Sequence, residues 1–471
     1  MENWLSKRAR LSPQHCAVRA GTHSLTFAQL QQQVLQQAGR IAYLQPHGRI
    51  AILTDNTLPG YLTILALHQL GCAPVLLNQR LSSDELTQQL QAAAVTLCLA
   101  ADNLIRPLPV KVVSFSELAQ QPVTTITPVA EFAATTVASI MFTSGTSGHA
   151  KGVLQTYNNH FYSAIGSVLN LGLTAADTWL CCVPLFHISG LSIMMRSLIY
   201  GMTVVLVDHF DPQQINQLLC TQPITTISVV PYMLQKLLQT LPLNQHYHPA
   251  FRCMLLGGGP IDRATLTICQ QRHIPVIQSY GMTETASQIV ALDFANAARK
   301  LGSAGQPLFP VQVKIAADQH ILVKTPTLAA GYLNQAAAFT KKIRAGWFDT
   351  DDIGYLDAEG FLFVKGRSGD MINSGGENIF PGEIEAVYQQ HPAIKQIVVA
   401  GHADPTWGSV PLAYIQLNTN ISTAELRAYG RQHLAHYKVP RAFYCVADFP
   451  RTGNGKLKRQ ALTPQPEQQL K

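Results

Sequence analysis

Residues 139–153 read SIMFTSGTSGHAKGV, a stretch whose residue types suit the holding of phosphate. The aliphatic run ending in Ile140-Met141-Phe142 has the character of a buried strand. Thr143, Ser144, Gly145, Thr146, Ser147 and Gly148 follow with almost no side-chain bulk, so a polyanion can approach their backbone N–H groups. The hydroxyls can donate to phosphate oxygens, and Lys151 closes the segment with a positive charge. This is not a Walker A loop, because Ala150 stands where G-x-x-x-x-G-K requires its second glycine. The pattern suits a nucleoside triphosphate; a plain polar turn after a strand is the alternative.

A second set lies at 278–287, QSYGMTETAS. Tyr280 and Gly281 are expected in a turn after the strand-like PVIQ, presenting a flat phenol ring to a purine. Thr283 can donate to phosphate, and Glu284 offers the hard oxygen that suits Mg²⁺ bridging phosphates. Alone, the stretch is equally a strand-to-helix turn. Gly257-Gly258-Gly259 follow the strand-like CMLL, and Gly258 and Gly259 let backbone approach a base or its ribose. They do not form G-x-G-x-x-G, which disfavours a dinucleotide fold. GWFDTDD, 346–352, gathers carboxylates ahead of a strand. Asp352 can accept both hydroxyls of a ribose, with solvated turn acids as the alternative there and more so at Asp349.

In GRSGDMINSGGENIFPGEIE, 366–385, Arg367 is a five-donor fork suited to ribose or phosphate oxygens. Gly375-Gly376 leave room for a narrow channel, and Glu383 and Glu385 are expected to cap or solvate the helix behind them. Lys456, in RTGNGKLK, follows two turn-forming glycines on a loop able to reach into a cleft, unless it belongs to a merely solvated basic tail.

Elements to position these groups are legible around them. Short apolar runs at 50–53, 73–77 and 94–99 read as strands, and 26–44 and 58–70 as helices, which is α/β alternation. Ser82-Ser83-Asp84-Glu85 before LTQQLQAA is a capped helix start. The alternation resumes with strands at 179–183, 202–207 and 226–230 and helices at 211–219, 233–238 and 262–270. From about Gly302 shorter alternating strands suggest a small β-rich lobe, and YLDAEGFLFVKGR is a hairpin. Beyond Arg367 come a helix at 381–390, strands at 394–400 and 411–416, and a helix at 423–433, enough for a compact α+β unit. The boundary is expected at 367/368, giving units 1–367 and 368–471, with a frayed terminal TPQPEQQLK.

Bulk properties narrow the class. At 47% hydrophobic and 13% charged the chain is globular rather than disordered. The net charge of +7 comes without a dense Lys/Arg block or aromatic–basic interleaving, which argues against nucleic acid. No apolar run of about 20 residues is present, so no membrane span is expected. The start, MENWLSKRARLSPQHC, lacks the apolar stretch of a secretory signal. Nine cysteines without metal-binding spacing suit a reducing cytoplasm. Self-association is left open.

Taken together, SGTSGHAKG (144–152), YGMTET (280–285), GWFDTDD (346–352), the 366–385 segment and PRTGNGKLKR (450–459) resemble the adenylate-forming acyl-CoA synthetase superfamily, in its order and roughly its spacings. The resemblance implies a large N-terminal domain with ATP and acid sites and a small mobile C-terminal lid. It implies ATP, Mg²⁺ and coenzyme A as the small molecules handled with a carboxylic acid, through an acyl-adenylate. By position, Thr143, Ser144–Gly148 and Lys151 would be the phosphate loop, Gly258 and Gly259 the adenine side, and Tyr280 the stacking ring. Thr283 would meet phosphate, Glu284 Mg²⁺, and Asp352 with Arg367 the ribose. Asp370 would be the hinge, Gly375-Gly376 the pantetheine channel, and Lys456 the adenylation lysine. Two departures stand out: His149-Ala150 where the superfamily has Lys/Arg-Pro, and Thr350-Asp351-Asp352 where it has T-G-D. The second brings an extra carboxylate to a polyanion site unless it points to solvent.

The acid pocket is expected near PLFHISGLSIMMRSLIYGM, 184–202, with His187 gating or touching the acid unless it is a structural histidine. Arg196 interrupts an apolar run, and a charge there needs a partner: a second carboxylate on the substrate, or a structural Asp or Glu. Ser192 is a weaker candidate. Segments 154–173, 187–207 and 280–292 resemble a branch of the superfamily whose acid carries an aromatic ring, a ketone and two carboxylates. Ligation of another aryl or short-chain acid, loading of a carrier protein, and a non-catalytic nucleotide-binding scaffold are the other readings.

Overall fold

Helices begin where the capping chemistry places them. The Ser82 hydroxyl accepts from the Glu85 N–H while the Glu85 carboxylate accepts from the Ser82 N–H, opening Ser83–Ala92 and satisfying two orphan donors. Thr26 with Gln29, Thr156 with Asn159, and Ser422 with Glu425 do the same for Phe27–Tyr43, Tyr157–Leu171 and Thr423–His433. The computed structural model describes the chain apart from residues 47, 144–149, 375–376, 452–456 and 471.

Among the described residues four sheets carry the fold, which is α/β with a β-rich lobe and an α+β C-terminal part. One runs in the order Gly331–Tyr332, Lys151–Thr156, Val137–Thr143, Ala73–Leu77, Arg49–Leu53, Leu97–Ala100, Lys111–Ser114. It is parallel from Val137–Thr143 onward, and its inner strands are buried on both faces, as their continuous apolar runs require. A larger sheet is parallel from Val276–Met282 through Cys253–Leu256, Thr226–Val229, Thr178–Cys181 and Thr203–Leu206 to Cys16–Ala20. The lobe is antiparallel: His320–Lys324 pairs with Trp347–Leu356, which turns back into Leu362–Arg367 as the hairpin pattern predicts. The last sheet joins Ile372–Ser374, Glu377–Ile379, Ile394–Asp404, Gly408–Leu417 and Phe443–Cys445, with Ile384, Tyr388 and Leu426 filling the core beneath it.

Four local expectations change. The strand expected from 94 starts at Leu97, because Ala94 takes φ +50° just after the preceding helix. Tyr280-Gly281 is no turn: the strand runs through to Met282, with a bulge between the two. Gly281 is needed for closeness rather than turning, since a Cβ there would sit 2.1 Å from the Ser287 carbonyl oxygen. Residues 349–352 lie within the strand Trp347–Leu356 rather than ahead of it. The terminal segment is tied down, not frayed: the Leu470 N–H donates to the Phe443 carbonyl at 2.8 Å, and the Thr423 hydroxyl to the Leu470 carbonyl at 2.6 Å. No helix among the described residues is long and apolar enough to cross a membrane.

Candidate active site

Candidate residues gather at the C-terminal ends of neighbouring parallel strands, where open α/β sheets bind ligands. Gly258 and Gly259 follow Cys253–Leu256, Tyr280 lies near the end of Val276–Met282, and His187 comes six residues past Thr178–Cys181. Gly258 takes φ +84°, a left-handed conformation that glycine accepts without steric cost. Thr143 ends its strand directly opposite Lys151, in an antiparallel pair. Ser144, Gly145, Thr146, Ser147 and Gly148 lie outside the described residues, as do Gly375, Gly376 and Lys456.

Asp352 is 6% exposed and held on both oxygens. The Tyr280 hydroxyl donates to its Oδ2 at 2.6 Å, and Arg367 Nε sits 3.3 Å from Oδ1. Strand register sets the second contact, since Asp352 and Arg367 pair directly across the hairpin. Burial, then the Asp352 charge, holds the Tyr280 phenol well above its usual pKa, so it stays a proton donor. Burial alone would depress the Arg367 guanidinium, but Asp352 and then Glu284 outweigh it and raise its pKa. These two partners fix the orientation of the Asp352 carboxylate.

Thr283 and Glu284 lie on the short 3₁₀ turn Thr283–Thr285. The turn is clamped from the strand Lys151–Thr156, where Gln155 Nε2 donates to the Thr283 carbonyl at 2.7 Å. It is clamped again by the Ala329 N–H, which donates to the Glu284 carbonyl at 2.8 Å. Glu284 Oε1 accepts from the Tyr332 hydroxyl at 2.8 Å, and the Lys151 ammonium lies 5.1 Å over the Tyr332 ring. One carboxylate with a fixed orientation fits Mg²⁺, which is usually held by one or two protein carboxylates together with substrate phosphates. Among the described residues no cluster of three or more His, Cys, Asp or Glu offers an all-protein metal cage.

Asp349 is not the solvated turn acid of the alternative reading. Asp349 is 3% exposed and pairs with His320 Nδ1 at 2.9 Å and Arg344 Nη2 at 2.6 Å. Asp351 takes φ +60° and pairs with Lys342, so its extra charge is neutralised beside the site.

The helix Ile188–Tyr200 carries the acid-pocket candidates. His187 immediately precedes it, half-buried, with its ring 4.6 Å from that of Phe186. The Ser192 hydroxyl donates back to the Ser189 carbonyl at 3.1 Å. Arg196, 2% exposed, donates from Nη2 to Gln288 Oε1 at 3.0 Å and to Ser163 Oγ at 3.4 Å, and lies 5.4 Å over the Trp179 ring. Its Nε has no hydrogen-bond partner, and no Asp or Glu pairs with it, among the described residues. His187 and Arg196 stand about 14 Å apart along the helix axis.

In the C-terminal part, Asp370 Oδ2 lies 4.0 Å from Arg459 Nε. Glu385, expected to cap or solvate a helix, instead takes Arg459 in a two-pronged pair, with Nη2 to Oε2 at 2.8 Å. Glu383 pairs with Lys438 at 2.5 Å. Tyr332, Gln155 and Arg459 escape sequence reasoning because each acts through a partner more than 45 positions away. The adjacency of Arg459 to the Lys456 segment was the one available signal.

The chain belongs to the AMP-binding enzyme family: residues 5–333 match the family itself and residues 383–456 its C-terminal domain. It is 47% identical to a 2-succinylbenzoate–CoA ligase of Listeria monocytogenes serotype 4b (strain F2365), over 98% of this chain and 99% of that one. It also superposes on o-succinylbenzoate CoA synthetase (MenE) from Bacillus subtilis in complex with the acyl-adenylate intermediate OSB-AMP. That match has a TM-score of 0.94 at 39% identity, covering 99% of this chain and 98% of the other. With ATP and magnesium ion bound, the Bacillus enzyme matches at a TM-score of 0.91 and 39% identity, over 98% and 99% of the two chains.

Proposed function

We propose that this chain is an ATP-dependent acid–thiol ligase that makes the CoA thioester of 2-succinylbenzoate, a cytoplasmic step of menaquinone biosynthesis. The observation that carries the acid's identity is Arg196, a buried cation with no protein carboxylate beside it among the described residues. A substrate with a second carboxylate supplies the missing charge, and the 47% identical relative bears the name of such a ligase. The nine cysteines, all free, suit a reducing compartment.

In the first half-reaction a carboxylate oxygen of the succinyl arm attacks the α-phosphorus of ATP and pyrophosphate leaves. Tyr280 stacks on the adenine beside the backbone of Gly258 and Gly259, and Asp352 with Arg367 holds the ribose. Thr143, Ser144, Gly145, Thr146, Ser147, Gly148 and Lys151 line the β- and γ-phosphates, and Thr283 donates toward the transferring group. Mg²⁺, held by Glu284, neutralises phosphate charge when bound. Lys456 reaches the α-phosphate, where preorganised positive charge lowers the barrier. His187 borders the reacting carboxylate, while Arg196, with Ser192 close by on its helix, faces the benzoate carboxylate. In the second half-reaction the CoA thiol, entering past Gly375-Gly376, attacks the acyl carbonyl and AMP leaves. The unit beyond the 367/368 boundary turns about Asp370 between the two steps, withdrawing Lys456.

The test is a panel of acids with ATP, Mg²⁺ and CoA, read as pyrophosphate release and thioester formation. 2-Succinylbenzoate is expected to exceed benzoate and hexanoate by orders of magnitude. Comparable rates across the panel would refute the assignment of the acid.

A further inference from the structure

Tyr332 touches two groups from separate parts of the chain. Its hydroxyl donates to Glu284 Oε1 at 2.8 Å, and the face of its ring lies 5.1 Å beneath the Lys151 ammonium. The residue is 3% exposed, and Phe339 packs edge-on against its ring at 5.1 Å. Its strand has only two residues, Gly331–Tyr332, yet it is registered on Leu154 and Val153. Main-chain bonds pin it at both ends: the Ala330 N–H donates to the Leu154 carbonyl at 2.9 Å, and the Leu333 N–H to the Gly152 carbonyl at 2.7 Å. A phenol fixed this firmly sets the orientation of the carboxylate it serves. Its proton occupies one oxygen of Glu284 and leaves the other for a cation. Mg²⁺ demands near-ideal octahedral oxygen geometry, so a freely rotating carboxylate would be a poor ligand.

We infer that Tyr332 is a positioning residue for the metal–triphosphate complex: its hydroxyl orients Glu284 toward Mg²⁺, and its ring holds Lys151 toward the phosphates. This rests on the roles proposed above for Glu284 and Lys151. The two halves separate chemically. Tyr332→Phe removes the hydroxyl and keeps the ring, whereas Tyr332→Leu removes both.

Calorimetric binding of ATP to the full chain over a Mg²⁺ series, without acid or CoA, reads this apart from turnover. For Tyr332→Phe the Mg²⁺ concentration that gives half the gain in ATP affinity should rise about tenfold, the usual effect of losing an outer-shell partner. Its affinities for AMP and for metal-free ATP should stay within about twofold, as no phosphate or ribose contact is touched. Tyr332→Leu should in addition weaken metal-free ATP binding, through loss of the surface under Lys151. An unchanged Mg²⁺ midpoint in Tyr332→Phe would overturn the inference. So would a parallel loss of AMP affinity, which would make Tyr332 a packing residue. Wild-type ATP binding indifferent to Mg²⁺ would instead remove the role of Glu284 on which the inference stands.

Discussion

Arg196 is a cation whose surroundings suit it less well than they would a neutral side chain. Burial lowers its pKa, and what it meets are Gln288, Ser163 and the Trp179 ring rather than a carboxylate. Buried charges without a full set of partners detract from stability and are often replaced by apolar residues at no loss. Arg196→Met is therefore expected to unfold in urea at the wild-type midpoint or above it. The same variant should lose about 100-fold in kcat/KM for 2-succinylbenzoate, the 2–3 kcal/mol scale of a buried charge pair. Its slow rates with monocarboxylic acids should hardly change. A destabilised variant with unaltered acid preference would mark Arg196 as structural. Asp351 shows the opposite solution at this scale. It occupies a left-handed position that glycine fills more easily, and Lys342 absorbs the charge it brings.

At the scale of elements, the site is a set of clamps between segments far apart in sequence. The hairpin of Val137–Thr143 and Lys151–Thr156, the Thr283–Thr285 turn and the two-residue Gly331–Tyr332 strand are mutually hydrogen-bonded through Gln155, Ala329 and Tyr332. What the residues announced were local events: the capped helix start at Ser82, the hairpin before Arg367, and strands such as Ala73–Leu77. Such events depend on neighbours within about four positions, and their chemistry is visible in one window. The Asp352–Arg367 contact was only half within reach: the turn sets a register that would place Asp352 opposite Gly366, and a bulge between Ile353 and Gly354 shifts it onto Arg367. Gly281 shows why other features were not legible. A glycine suggests a turn, but this one serves the approach of the Ser287 carbonyl from the adjoining strand, which no local pattern encodes. Gly281→Ala is accordingly expected to cost about 3 kcal/mol, at the upper end of overpacking. Differential scanning calorimetry would show a markedly lower Tm; a Tm within a degree of wild type would contradict the close approach.

The whole molecule carries a pH liability in two buried histidines. His68 and His160 are fully buried, and burial depresses their pKa values to about 4 and about 3 from an ordinary 6.5. His160 is lowered further by the charges of His68 and Arg196. Between those values and 6.5 the unfolded chain takes up protons that the folded chain refuses. Stability is therefore fully present above pH 6.5 and falls as pH drops below it. From pH 7.5 to 5.5 the two histidines should together remove about 3 kcal/mol. Urea unfolding at the two values would show this, and a flat response would mean that the imidazoles are not held neutral. In the C-terminal part Arg459 ties the last segment to the helix Pro381–Tyr388 through Glu385 and to the sheet through the Val399 carbonyl, with Asp370 nearby. If Lys456 serves only the adenylating arrangement, Lys456→Ala should abolish pyrophosphate release yet largely spare thioester formation from supplied acyl-AMP. Equal loss in both would contradict a turning unit.

The central claim is that a carboxylate oxygen reaches the α-phosphorus before any thiol takes part. ATP–pyrophosphate exchange, measured without CoA, tests it most directly. Exchange should appear when 2-succinylbenzoate and Mg²⁺ are both present and vanish when either is withheld. Thioester formation from 2-succinylbenzoate, ATP and CoA by a protein that shows no exchange and yields no AMP-linked acid without CoA would contradict the account.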